Sequence, residues 1–170
     1  MATVERTGSI EFEPFFRERY PRLVTLGTTM TGRRDVAQEV AQEALLRAHQ
    51  RWDEIAVYDN PGAWVKRVAV NLLIDHLRAS SRERDAIARV DSRAQSSTPG
   101  EVDLAVDRWV GLLAGLSERQ RAIVTLFYAD DQSVEAIAQL MGIATGTVKA
   151  QLFKAREKIR ARLAADEETT

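Results

Sequence analysis

The sequence predicts an all-α protein of two small helical domains joined by a flexible linker, the second containing a helix-turn-helix. Three observations carry that expectation. Apolar residues recur at helical spacing in both halves of the 170-residue chain, and no alternating apolar–polar run is long enough for a strand. From Ser80 to Asp103 the chain reads SSRERDAIARVDSRAQSSTPGEVD, and the apolar periodicity fades. A capping box and a glycine turn then punctuate the last third of the chain. Structureless loops above about 15 residues are uncommon inside compact domains, so the polar stretch reads as a tether, the alternative being a long loop inside one domain. The expected boundaries are 10–80 for the first domain, 81–103 for the linker and 104–164 for the second.

The elements follow in order. Phe12, Phe15, Phe16 and Tyr20 mark a first helix that brings aromatics to the core. Asp35, shortly after Gly32, sits where an N-cap is wanted. Val36, Val40, Ala44 and Ala48 then fall at i, i+4, i+8 and i+12, with Ala37, Ala41 and Leu45 widening the stripe. The next helix opens at Asp59-Asn60-Pro61. Asn60 can cap it, and Pro61 suits the first helical position because a proline's missing N–H has no partner there anyway. Trp64, Val68, Leu72 and Asp75 share one stripe of this helix, with Val65, Leu73 and Leu77 beside it.

In the second domain, Ser117-Glu118-Arg119-Gln120 has the form of a capping box opening a helix with Ile123, Val124, Leu126 and Phe127 inside. Asp130-Asp131-Gln132 breaks that helix. Ser133 caps the next, which buries Val134, Ile137, Ala138 and Met141 and ends at Gly142 in the place of a left-handed turn. A longer helix starts near Thr145, with Val148, Leu152, Ala155, Ile159 and Leu163 as its apolar positions. Helix, glycine turn and helix make a helix-turn-helix pattern.

Composition excludes more than it proves. The chain is 45% hydrophobic and 29% charged, enough for a core, and it has no cysteine. Disulfides, thiolate metal sites and a cysteine nucleophile are therefore out. The start, Met1-Ala2-Thr3-Val4-Glu5-Arg6, lacks the layout of a signal peptide, and no uncharged apolar run approaches the roughly 20 residues of a bilayer span. The expectation is a cytoplasmic protein with no membrane partner. His49 and His76, the two histidines, have no ligand-spaced partners; no Walker or dinucleotide loop and no nucleophile elbow is present. No catalytic residue, metal site or cofactor is expected.

Lys+Arg 24 against Asp+Glu 25 gives a net charge of −1, which by itself argues against a nucleic-acid partner. The distribution reverses that inference. Between Thr145 and Arg162 the last helix carries Lys149, Lys154, Arg156, Lys158, Arg160 and Arg162 against one acid, Glu157, a local balance of +5. Cations off the apolar stripe of the second helix of a helix-turn-helix are placed to meet phosphates and base edges in a major groove. The bland alternative is a solvated face whose C-terminal cations complement the helix dipole. In the first domain, Lys66, Arg67 and Asn71 near Trp64 can stack on and hydrogen-bond an unpaired base; a surface helix with one core tryptophan explains them as well. Gln38, Glu39, Gln42 and Glu43 fit either a protein-binding face or plain solvated surface.

Three segments resemble the extracytoplasmic-function sigma factors, the smallest bacterial initiation factors of the sigma-70 type, and actinobacterial members above all. DVAQEVAQEALLRAH over 35–49 is similar to the family's region 2.2, and NPGAWVKRVAVNLLIDHLR over 60–78 to regions 2.3 and 2.4. LSERQR over 116–121, with GTVK over 146–149 and the helix to Arg162, is similar to region 4. The resemblance implies that the first domain binds core RNA polymerase at the β′ clamp through Asp35, Glu39, Gln42 and Glu43. It further implies that this domain recognises and melts the −10 element, capturing a flipped base with Asp59, Asn60, Trp64, Lys66, Arg67 and Asn71. The second domain would bind the β flap and read the −35 duplex with Thr147, Lys149, Gln151, Phe153, Lys154 and Arg156. The linker would thread polymerase channels, its Asp91, Glu101 and Asp103 suiting a basic wall. An anti-sigma factor is a further partner the family admits.

Two departures stand out. Ala150 and Gln151 occupy positions where the family often has Ser and Arg, so its promoter sequence does not carry over; Ala144 replaces a frequent capping Ser. A free-standing helix-turn-helix regulator, whose N-terminal module senses a ligand or dimerises, is the alternative, and it predicts DNA binding without polymerase.

Overall fold

A computed structural model describes residues 11–90 and 104–167. Among these residues there are helices and no strand: α1 (Phe12–Thr31), α2 (Arg34–Gln50), α3 (Trp52–Ile55), α4 (Pro61–Val90), α5 (Leu104–Leu113), α6 (Glu118–Tyr128), α7 (Val134–Met141) and α8 (Thr145–Glu167).

In the first half, α1 and α2 form the most extensive helix pair, and α4 packs across both. The alanine stripe explains the close approach. Ala37, Ala41, Ala44 and Ala48 are all fully buried, and Gly27 of α1 approaches Ala37 so tightly that a Cβ there would lie 2.7 Å from the Cβ of Ala37. The expected aromatics do join this core: Phe15 is buried, and Phe12, Phe16 and Tyr20 pack at its edge.

Local signals appear where the sequence placed them. Asn60 Oδ1 accepts from the Ala63 N–H at 2.9 Å, and α4 begins on Pro61. Ser117 and Gln120 close a reciprocal capping box on α6, Ser133 caps α7, and Gly142 ends α7 at φ 65°. Asp35 is different. The N-cap of α2 is Arg33, with no side-chain cap, and Asp35 lies in the first turn, bonded back to Arg33. Because α2 starts two residues earlier than Asp35 requires, its carboxylate lies inside the first turn and pairs with the preceding arginine instead of capping the helix.

Two further expectations shift. The buried stripe of α4 is Val65, Ala69, Val70, Leu73, Ile74 and Leu77, whereas Trp64, Val68 and Leu72 are half-buried and Asp75 is exposed. In addition, α4 runs to Val90, well into the stretch read as a linker beginning at 81. That segment holds no Gly or Pro and is rich in Arg and Ala, so helix propensity continues after apolar periodicity stops. Periodicity reports burial; residues 82–86 are helical and exposed. Residues 91–103, with Asp91, Glu101 and Asp103, lie outside the described residues.

The two halves share a core. Leu26 and Met30 of α1 and Val70, Leu73, Ile74 and Leu77 of α4 belong to one apolar cluster with Leu113, Ile123, Leu126, Ile137, Val148 and Leu152 of the second half. Each fully buried aliphatic side chain is worth about 1.5–3 kcal/mol over its exposed state, so this junction is a substantial part of the fold's stability. At its margin Arg121 donates to the Leu113 carbonyl at 3.5 Å. Burial lowers the pKa of Arg121, and the charge of Arg84 on the distal part of α4 lowers it further.

Candidate nucleic-acid interface

The helix-turn-helix is α7, the Gly142 turn and α8. Val148, Leu152 and Ala155 of α8 are buried against α6 and α7, which turns the opposite face of the helix to solvent. Ile159 is half-buried and Leu163 exposed, so α8 leaves the core near its C-terminal end. Thr147, Lys149 and Lys154 are exposed, and Phe153 is 63% exposed. A phenylalanine held in water beside two cations is poor for folding and suited to contact with a partner.

The other two residues expected on this face are tied back. Arg156 donates from Nε to the Tyr128 hydroxyl at 2.6 Å, and its guanidinium lies 5.8 Å and 5.7 Å from the ring centres of Phe127 and Tyr128. Gln151 is half-buried and accepts from Gln120 Nε2 at 3.1 Å. Positions seven apart fall on the same side of a helix, so Lys149 and Arg156 share one flank of α8 while Gln151 and Lys158 share the other. Tyr128 and Gln120, which hold the two flanks from α6, were not singled out for this role by the sequence.

The candidate residues of the first half are split more severely. Trp64, Arg67 and Asn71 sit at i, i+3 and i+7, on one edge of α4, with Arg67 and Asn71 exposed. Arg51 places its guanidinium 5.6 Å from the centre of the Trp64 ring. Asp59 and Asn60 are exposed at the start of α4, and the Asn60 oxygen is spent on the cap. Lys66 points the other way. Its ammonium donates to Asp130 Oδ2 at 2.6 Å, in a pair about a quarter exposed at each end that joins the two halves. The next residue of that loop, Asp131, sits at φ 55°, a left-handed conformation that Asp tolerates. Arg67 abuts the turn of the helix-turn-helix, its Nη2 3.4 Å from where a Cβ on Gly142 would stand. A cleft of about 450 Å³ lies at this junction, lined by Arg19, Arg22, Thr29, Lys66, Asp130 and Gln132 among others.

On α2, Asp35, Glu39 and Gln42 are exposed and Glu43 is half-buried, spaced to share one face. Arg33 bonds Asp35 at 3.2 Å and 2.5 Å and holds its carboxyl below the ordinary range, with help from the Val36 N–H. Glu43 accepts from Arg47 at 2.7 Å. Beside this face a depression of about 590 Å³ is lined by Phe12, Phe16, Glu39, Gln42, Glu43 and Leu46, and Leu46 is 52% exposed. Sequence reading passed over Leu46, whose one signal was a leucine off the alanine stripe. Among the described residues no group of His, Asp or Glu could hold a metal ion, and no helix is long and apolar enough to cross a membrane.

Two family models match the chain: sigma-70 region 2 over residues 15–83 and sigma-70 region 4 over residues 107–159. The chain is 39% identical over 136 residues to the ECF RNA polymerase sigma factor SigL of Mycobacterium tuberculosis, covering 77% of this chain and 76% of that protein. It is 30% identical over 155 residues to the RNA polymerase sigma-E factor of Streptomyces avermitilis, covering 91% and 86%. Among solved structures it is similar to the sigma factor RpoE of Bartonella quintana, determined in complex with the anti-sigma factor NepR. That likeness has a TM-score of 0.67 at 25% identity and covers 91% of this chain and 98% of the other.

Proposed function

The chain belongs to the extracytoplasmic-function family of RNA polymerase sigma factors, and from that membership we propose how its two halves divide promoter recognition between them. Sigma factors are in general initiation factors without catalytic activity, and this chain acts by binding alone, in the cytoplasm. Residues 10–80 form the unit that binds core polymerase and the −10 element, and residues 104–164 the unit that reads the −35 element. The exposed Lys149–Phe153–Lys154 surface on the second helix of the helix-turn-helix is the observation that carries this reading.

The α2 face of Asp35, Glu39, Gln42 and Glu43 meets the β′ clamp, with Leu46 as its apolar anchor. A leucine half in water beside carboxylates supplies the buried centre that a polar rim alone lacks. Trp64, Arg67 and Asn71 hold the extruded base of the −10 strand: an aromatic to stack on, with donors beside it. Asp59 and Asn60 shape the loop at that pocket. Lys66 reaches the strand once its pair with Asp130 has parted. On the second half, Thr147, Lys149, Gln151, Phe153, Lys154 and Arg156 face the −35 duplex, while the β flap takes the side away from DNA. An anti-sigma factor is a further partner, the class with which the similar RpoE of Bartonella quintana was determined.

The test is reconstitution. Mixed with core polymerase and a promoter library, the purified chain is expected to co-elute with core and to start transcripts at a defined sequence class. Absence of co-elution, or strong specific binding to duplex DNA without polymerase, would overturn the proposal.

A further inference from the structure

The hydrogen bonds around Gln120 determine which end of the Gln151 amide is available to DNA. Gln120 is the fourth residue of the Ser117 capping box and is 5% exposed. Its Oε1 accepts from two groups that can only donate: the backbone N–H of Ser117 at 3.2 Å and the Lys158 ammonium at 3.1 Å. Side-chain amides are ordinarily ambiguous between their two orientations, and here both neighbours select the same one. The remaining terminal atom of Gln120 is therefore its NH2 group, which donates to Gln151 at 3.1 Å. A donor needs an acceptor, so Gln151 turns its oxygen toward Gln120. Its own NH2 group is left for other partners, and no described residue accepts from it.

We propose that Gln151, oriented by Gln120, is a specificity-determining residue that reads the −35 element purely as a hydrogen-bond donor. This rests on α8 being the −35 recognition helix. In the major groove such a donor finds acceptors on guanine (O6, N7), adenine (N7) and thymine (O4), and none on cytosine, which offers only its amino group. Gln120 is then a positioning residue: it touches no base, and it decides which bases Gln151 accepts. Lys158, on the same flank, holds Gln120 in register and so extends the network along α8.

The experiment reads initiation by holoenzymes on a promoter library randomised across the −35 element. The wild-type holoenzyme disfavours cytosine at one position by roughly two- to tenfold, the discrimination of one hydrogen bond. Gln151→Ala flattens that preference. Gln120→Glu keeps the acceptor that Ser117 and Lys158 need but cannot donate. Gln151 then turns its NH2 inward and presents its oxygen, shifting the preference toward bases with an exposed amino group, cytosine or adenine. Gln151→Glu presents an oxygen whatever Gln120 does and produces the same shift, which covers the case of a poorly folding Gln120→Glu chain. Unchanged base preference in both Glu variants overturns the inference, as does a loss uniform across all sequences in Gln151→Ala, the mark of a phosphate contact. A wild-type chain that fails to start transcription with core polymerase overturns the sigma reading itself, an outcome distinct from a working holoenzyme whose base preference does not shift.

Discussion

The recognition helix α8 and the long helix α4 both carry the residues proposed to meet DNA, and they are placed very differently. Helix α8 buries one stripe within its own half and leaves Lys149, Phe153 and Lys154 open. Helix α4 is packed on two sides, by α1 and α2 on one and by α6 and α7 on the other. A helix with one buried face keeps its remaining polar residues free. One buried on two faces has polar residues at the margins of both contacts, and these are recruited into pairs such as Lys66 with Asp130. The degree of burial of a helix, more than its charge, decides how ready it is for a partner.

The largest expected effect tests whether α4 serves both halves. Leu73 is fully buried in the shared cluster and touches Gly27's surroundings on α1. Leu73→Ala is expected to cost about 2–5 kcal/mol in denaturant unfolding. Hydrogen exchange should show protection falling in α6 as well as in α1; a loss confined to the first half would mean two separate cores. Next comes the open helix. Lys149→Ala is expected to remove about 1–3 kcal/mol of −35 discrimination in competition binding of the holoenzyme, and a loss equal for all sequences would place Lys149 on phosphate.

Smaller still, Asn71→Ala should slow open-complex formation by about 1 kcal/mol of lost hydrogen bonding while leaving duplex binding unchanged. Permanganate footprinting beside duplex competition separates the two, and equal losses would contradict a flipped-base role. Last, a double-mutant cycle on Lys66→Ala and Asp130→Ala should yield a coupling of about 0.2–1 kcal/mol, the worth of a partly exposed pair. A coupling of zero would mean that this pair adds nothing to the apolar contact between the halves.

Most features that depend on near neighbours in sequence were readable in advance, the Asp35 cap of α2 being the exception. The caps at Asn60, Ser117 and Ser133, the Gly142 turn and the alanine stripe of α2 each involve residues within four positions or one repeating face. The burial centre of α4 was not readable, because a helix packed on two sides has no single apolar stripe to find. Nor was the short α3, or the helical run to Val90, where no burial pattern announces the structure. The same division holds for the interface. Lys149, Phe153 and Lys154 are free because nothing distant reaches them. Gln151, Arg156 and Lys66 are held by residues 31, 28 and 64 positions away, and no local pattern encodes such partners.

The common core also bears on how the chain tolerates being cut. A protease site engineered into residues 91–103 divides the sequence after α4 and before α5, yet leaves Leu26, Leu73 and Ile74 against Leu113, Ile123 and Leu126. The covalent link across that stretch serves to raise the local concentration of two surfaces that already fit one another. Cleaved protein would behave as a heterodimer of fragments, with a dissociation constant of its own and a stability that rises with concentration.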